Sequence, residues 1–126
     1  MVKTASPKPD QSSAGIHNQT IGKWGENQAE EYLVRKGYEI VDKNYRTPEG
    51  EIDLICQHDG DLVFVEVKTR SNTNMGYPEE AVTAEKWSHL ISTVELYLAD
   101  HPETNLNWRV DIIAIIGSRK NGLADI

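Results

Sequence analysis

Asp53, Glu66 and Lys68 are the residues whose types and spacing in this chain suit chemistry. Glu51-Ile52-Asp53-Leu54-Ile55-Cys56 alternates polar and apolar side chains, and so does Leu62-Val63-Phe64-Val65-Glu66-Val67-Lys68. Between the two runs lies Gln57-His58-Asp59-Gly60-Asp61. Asp-Gly flanked by alternating runs is a strong hairpin signal, and a two-residue loop there fixes the register. His58 then faces Asp61, Ile55 faces Phe64, Asp53 faces Glu66, and Glu51 faces Lys68. Strand side chains alternate with period two, so Glu51, Asp53, Glu66 and Lys68 share one face. Ile52, Leu54, Cys56, Val63, Val65 and Val67 share the other, and a one-residue slip would scatter that partition.

Opposed residues have Cβ atoms about 4.5–5.5 Å apart, where like charges repel. A hard divalent cation, Mg²⁺ or Mn²⁺, reverses that sign, binding through one or two carboxylates plus waters and substrate phosphates. Lys68 beside it could hold an attacking water or stabilise charge growing on a phosphate. Together these groups suit metal-assisted phosphodiester cleavage. The plainer alternative makes Asp53 and Glu66 solvated charges on an exposed strand face. Lys68 is then a cross-strand partner of Glu51, worth about 0.2–1 kcal/mol. Glu26 stands at the edge of a helical apolar stripe, where it either points along the sheet toward the site or is an ordinary rim charge. Gly22 and Gly25 lie within a turn of it, and glycine's cost of about 1 kcal/mol inside a helix suggests a close approach there.

The elements that must position these residues follow from periodicity. Thr20 suits a helix N-cap, and apolar spacing predicts a helix over 21–36, stopped by Gly37. A first strand is expected over 38–46, then the turn 47–50 and the hairpin. Residues 70–78 read as a mobile loop near the site. A second helix is expected over 83–100, with Trp87, Leu90, Ile91, Val94, Tyr97 and Leu98 as its apolar stripe, ended by His101-Pro102. The run 108–116 reads as a last strand covered on both faces, and its helical crossover implies parallel pairing. The order is helix, three strands, helix, strand: an α/β fold with a mixed sheet. Residues 1–19 read as a disordered tail, 20–117 as one domain and 118–126 as a polar tail.

At 126 residues and a net charge of −7, the chain lacks the broad basic surface of many nucleic-acid binders. Lys43, Arg46, Lys68 and Arg70 could still form a local patch against phosphates, and Lys86 could reach one from the second helix. Trp24, Trp87 and Tyr32 are expected in the core; Tyr45 and Tyr77 are the better candidates for base stacking. Arg109 and Asp111 read as a strand-end ion pair. The single cysteine, Cys56, falls on the apolar strand face, consistent with a reducing cytoplasm. No stretch is long and apolar enough for a membrane span, so no membrane association is expected. The histidines share no metal-ligand spacing with Cys56, so no zinc site is expected.

Four stretches together resemble the PD-(D/E)xK nuclease superfamily: 25–33, 50–55, 63–70 and 109–115. More narrowly the chain is similar to the YraN-like uncharacterised protein family, often described as predicted endonucleases distantly similar to archaeal Holliday junction resolvases. The resemblance spans roughly 21–117. It implies a restriction-endonuclease-like three-layer sandwich of core order αβββαβ. It also implies that Asp53 and Glu66 are metal carboxylates, Lys68 is the catalytic lysine, and Glu26 is the helix-borne acid that completes the site. The carbonyl of Val67 joins the implied Mg²⁺ or Mn²⁺ ligands. The implied partner is nucleic acid, DNA in the first instance and branched DNA by relation, with a homodimer by analogy. Two features depart from the pattern: Ile52 stands where a proline precedes the first aspartate, and Trp87-Ser88 follows Lys86 where more basic character is expected. Two other functions stay open, a nucleic-acid or protein-interaction module that keeps the fold without catalysis, and a structural domain whose charges keep the sheet soluble.

Overall fold

A computed structural model of the chain describes residues 13–70, 82–102, 107–118 and 123–125. The expected tail over 1–12, most of the expected loop after Arg70, and Tyr77 lie outside them. The elements run α1 (Ser13–Arg35), β1 (Glu39–Thr47), β2 (Gly50–His58), β3 (Asp61–Arg70), α2 (Ala84–Asp100), β4 (Asn107–Ser118) and β5 (Leu123–Asp125). The sheet order is β1-β2-β3-β4-β5. β1, β2 and β3 pair antiparallel in sequence, and β3 pairs parallel with β4 across the α2 connection. This is the expected mixed α/β sheet. Two boundaries differ from expectation. α1 begins at Ser13, so Thr20 lies inside the helix rather than capping it; once nucleated, a helix adds residues at little cost. Leu123–Asp125, expected to be tail, forms a short strand on Ile116–Ser118.

The predicted turns form for the predicted reasons. Gly37 takes φ +91° and α1 ends in a Schellman motif, with Tyr38 N donating to Leu33 O and Gly37 N to Val34 O. Asp59 and Gly60 take φ of 50° and 82°, the pair of positive values that a type I′ hairpin requires. The β2–β3 register is the expected one, with His58 opposite Asp61, Ile55 opposite Phe64 and Leu54 opposite Val65. Thr83 caps α2, its side chain accepting from Lys86 N at 3.2 Å.

Two apolar clusters lie on opposite faces of the sheet. Ala29 and Leu33 of α1 pack with Leu54, Cys56, Val63, Val65, Val67, Ile113 and Ile115. Leu90, Val94 and Tyr97 of α2 pack with Ile52, Ile55, Leu62 and Phe64. β3 is therefore covered by a helix on each side and by a strand along each edge. Trp24 and Tyr32 pack against the α1 cluster as expected. Trp87 does not join the α2 core: it is 40% exposed, because Leu90, Thr93, Val94 and Tyr97 already fill the contact face. Gly25 allows a close helix–sheet approach. A Cβ there would run into the Thr69 side chain, so the suspected close contact is with β3.

Candidate active site at the β2–β3 fork

The β2–β3 ladder ends at Leu54 and Val65, one step short of Asp53 and Glu66. Beyond that step a side chain takes over the pairing. Val67 N donates to Asp53 Oδ2 at 2.8 Å, so the carboxylate does the work of a backbone carbonyl. Asp53 is completely buried, and its Oδ1 accepts no hydrogen bond among the described residues. Burial pushes the Asp53 carboxyl well above its ordinary range. A hydrogen bond to the Glu66 carboxyl and the charge of Glu66 push it further, the Val67 amide pulls it back, and Glu26 adds a smaller push. Lys68 is 1% exposed, and its Nζ lies 3.4 Å from Glu66 Oε2. Asp53, Glu66 and Lys68 thus meet in one buried locus, and the alternative of solvated surface charges does not hold for them.

The strict two-face partition fails at this place. Ile52 belongs with the α2 cluster, whereas Leu54 and Cys56 belong with the α1 cluster. β1 makes the same switch: Lys43 Nζ reaches Glu30 of α1 at 3.0 Å, while Tyr45 packs edge-on against Tyr97 of α2. The residue between them, Asn44, has φ 52°. A left-handed residue costs roughly 1–2 kcal/mol for most side chains and least for Asn, Asp and Gly. It rotates the strand, so alternation restarts out of phase. Register places Asn44 against Asp53, between the pairs Lys43–Leu54 and Tyr45–Ile52. Strained backbone of this kind clusters at functional sites.

Glu26 is buried on α1, and its Oε1 accepts from Asn44 Nδ2 at 3.2 Å. The helix-borne acid thus reaches the sheet rather than the rim. Glu51 is held by Arg46, its direct neighbour on β1, with Arg46 Nε 2.8 Å from Glu51 Oε2. The expected Glu51–Lys68 pairing is replaced by Arg46–Glu51 and Glu66–Lys68. Of the basic residues considered for phosphate contact, Lys43 and Arg46 are engaged with Glu30 and Glu51. Arg70 is half-buried at the end of β3, and Lys86 is exposed in the first turn of α2. Tyr45 is no stacking platform: its hydroxyl donates to Asp100 Oδ2 at 3.1 Å and its ring packs on Tyr97. Arg109 does pair with Asp111, and it also reaches Asp61 at 3.1 Å and Tyr38 Oη at 3.0 Å. That network lies toward the hairpin end of β3, away from the fork.

Among the described residues, no group of three or more His, Cys, Asp or Glu side chains is placed to hold a metal ion. The donors present are a buried carboxyl pair and a third acid within electrostatic reach. Two like groups desolvated together, with the outer oxygen of Asp53 lacking a donor, fit a hard divalent cation, which needs one or two carboxylates. Sequence reasoning missed Asn44, although an asparagine inside an alternating run is itself a signal for a left-handed residue. It also missed Thr69, whose contact with Gly25 sets the height of α1 above β3.

A family profile for uncharacterised protein family UPF0102 matches residues 25–115, a span that takes in Glu26, Asn44, Asp53, Glu66 and Lys68. A UPF0102 protein of Syntrophomonas wolfei is 44% identical over 99 residues, 79% of this chain and 86% of the relative. A UPF0102 protein of Roseiflexus castenholzii is 43% identical over 96 residues, 75% of this chain and 77% of the relative. A third, of Caldicellulosiruptor saccharolyticus, is 37% identical over 111 residues, 88% of this chain and 94% of the relative. With the match running from the first acid on α1 through the last long strand, the chain belongs to the UPF0102 family.

Proposed function

We propose that this protein is a metal-dependent endonuclease of the PD-(D/E)xK type, hydrolysing phosphodiester bonds of nucleic acid. The observation that carries the reading is the Asp53–Glu66 carboxyl pair, buried at the fork with Lys68 Nζ 3.4 Å from Glu66. A buried acid pair is costly, and a carboxyl perturbed as that of Asp53 is points to a functional site. Asp53, Glu66, Glu26 and the Val67 carbonyl would hold Mg²⁺ or Mn²⁺. The ion would supply Lewis acidity toward a phosphate and a lowered pKa for a water. Lys68 places a cation where the phosphate gains charge, and its burial keeps that charge from being screened. In the hydrolysis, a water oxygen bonds to phosphorus, one ester P–O bond breaks and the leaving oxygen takes up a proton.

The helix and strand order supports a restriction-endonuclease-like core, and with it the distant similarity to Holliday junction resolvases. Branched DNA is accordingly the first substrate to try, with a homodimer working in the cytoplasm. Among the described residues no helix is long and apolar enough to cross a membrane. The engagement of Lys43 and Arg46 with acids favours a second reading, an interaction module that keeps the fold without catalysis.

The test is cleavage of branched, single-stranded and duplex DNA with Mn²⁺ by wild type and Lys68→Ala. Activity lost in the variant supports the enzyme. Equal activity in both points to a contaminant. Thermal shift with Mg²⁺ or Mn²⁺, wild type against Asp53→Ala, separates the two readings, because a module without a metal site shows no metal-specific shift for the substitution to remove.

A further inference from the structure

We propose that Asn44 is a positioning residue of this site, acting through Glu26. The inference deepens the nuclease reading and rests on it for its catalytic meaning. Two properties of Asn44 are used at once. Its backbone is left-handed, φ 52°, at the step where both β1 and β2 exchange faces. Its side-chain amide donates to Glu26 Oε1 at 3.2 Å. Register sets the same residue against Asp53, whose carboxyl feels Glu26.

The two properties make Asn the one side chain suited to the position. Glycine takes a left-handed φ freely but brings no donor. Aspartate tolerates the conformation but would set another carboxylate against Glu26. Alanine fits neither requirement. Asn44 therefore fixes the third acid: a helix side chain with three rotatable bonds is tied to the strand opposite Asp53. Removing the tie takes away one of the contacts that hold Glu26 where its charge bears on Asp53.

The test uses full-length protein, Mn²⁺ as the probe and four forms: wild type, Asn44→Gly, Glu26→Gln and the double variant. Asn44→Gly preserves the backbone and should melt close to wild type. Its Mn²⁺ affinity, read by calorimetry, should fall about tenfold, a loss of about 1.4 kcal/mol. In the Glu26→Gln background the same substitution should change affinity less than about twofold, because both act through one carboxylate. Equal, additive losses would overturn the inference, as would wild-type affinity in Asn44→Gly. A second readout does not depend on metal: the Asn44 side-chain amide resonances in a ¹⁵N spectrum should shift in Glu26→Gln. Unmoved resonances would overturn the inference even if the protein cleaves DNA. Absence of Mn²⁺ binding and cleavage in wild type, with those resonances shifting, would overturn the nuclease reading and leave the Asn44–Glu26 tie standing.

Discussion

Asp53→Asn should make the metal-free protein more stable while removing its response to divalent cations. The side chain is fully buried, one oxygen accepts from Val67 N at 2.8 Å and the other accepts nothing among the described residues. Asparagine keeps the acceptor for Val67 and turns a permanent donor toward Glu66, so the hydrogen bond to Glu66 no longer depends on a proton held by Asp53. Relieving one unsatisfied buried acceptor is worth roughly 1–3 kcal/mol. At about 4–8 °C per kcal/mol for a domain near this size, Tm should rise by roughly 4 °C or more in EDTA at neutral pH. The pH dependence has a definite sign. The folded carboxyl titrates above its ordinary 3.8, so the native state holds a proton that the unfolded chain has released. Wild type therefore loses stability relative to Asp53→Asn as pH rises from 3.8 through the raised value, and the whole difference is in place above it. Subtracting the two melting curves cancels the other titrating groups. Saturating Mg²⁺ should then reverse the order, since a ligand at about a hundredfold excess over Kd adds about 2.7 kcal/mol to wild type alone. The reasoning is refuted if Asp53→Asn melts at or below wild type in EDTA and the two profiles run parallel from acid to neutral pH.

Lys68→Met should lower stability by about 3 kcal/mol in urea unfolding, because it removes the buried cation beside Glu66 and leaves the acid pair without that charge. Adding Glu66→Gln should recover most of that loss, and a loss that persists would mean Lys68 matters through packing alone. Gly25→Ala should cost about 1–3 kcal/mol in the same assay, since the new methyl meets Thr69 on β3. Combining it with Thr69→Ala should lessen the cost. The Cys56 thiol, buried and pushed up to about 12, should resist thiol reagents in native protein and react at once in denaturant. Rapid native labelling would contradict its burial.

The hairpin, its register and the meeting of Asp53, Glu66 and Lys68 were legible in the sequence, because period-two alternation and an Asp-Gly turn leave little freedom. The parallel crossover and the helix stop at Gly37 were legible for similar reasons. The placing of Ile52 was not. Alternation assumes one uninterrupted strand conformation, and a single left-handed asparagine on the neighbouring strand breaks that assumption without changing any apolar residue. The partner of Glu51 was misjudged for a related cause. With two antiparallel neighbours, β2 offers each side chain two opposite residues, and sequence near the hairpin pointed to β3 when Arg46 on β1 was available. Trp87 marks another limit: helical spacing identifies a stripe, but the sheet has room for only part of it. The reach of Glu26 depended on how deeply α1 settles, which Gly25 and Thr69 decide together.

β3 carries Glu66 and Lys68 and lies between antiparallel β2, parallel β4 and a helix on either side. Its amides should be the last in the molecule to exchange with solvent deuterium, opening only when the whole fold opens. The two members of the proposed site that it carries are therefore mounted on the keel of the protein rather than on its rigging. If the proposed activity holds, peripheral segments could be reshaped for different substrates while the Glu66–Lys68 distance stays where the keel sets it.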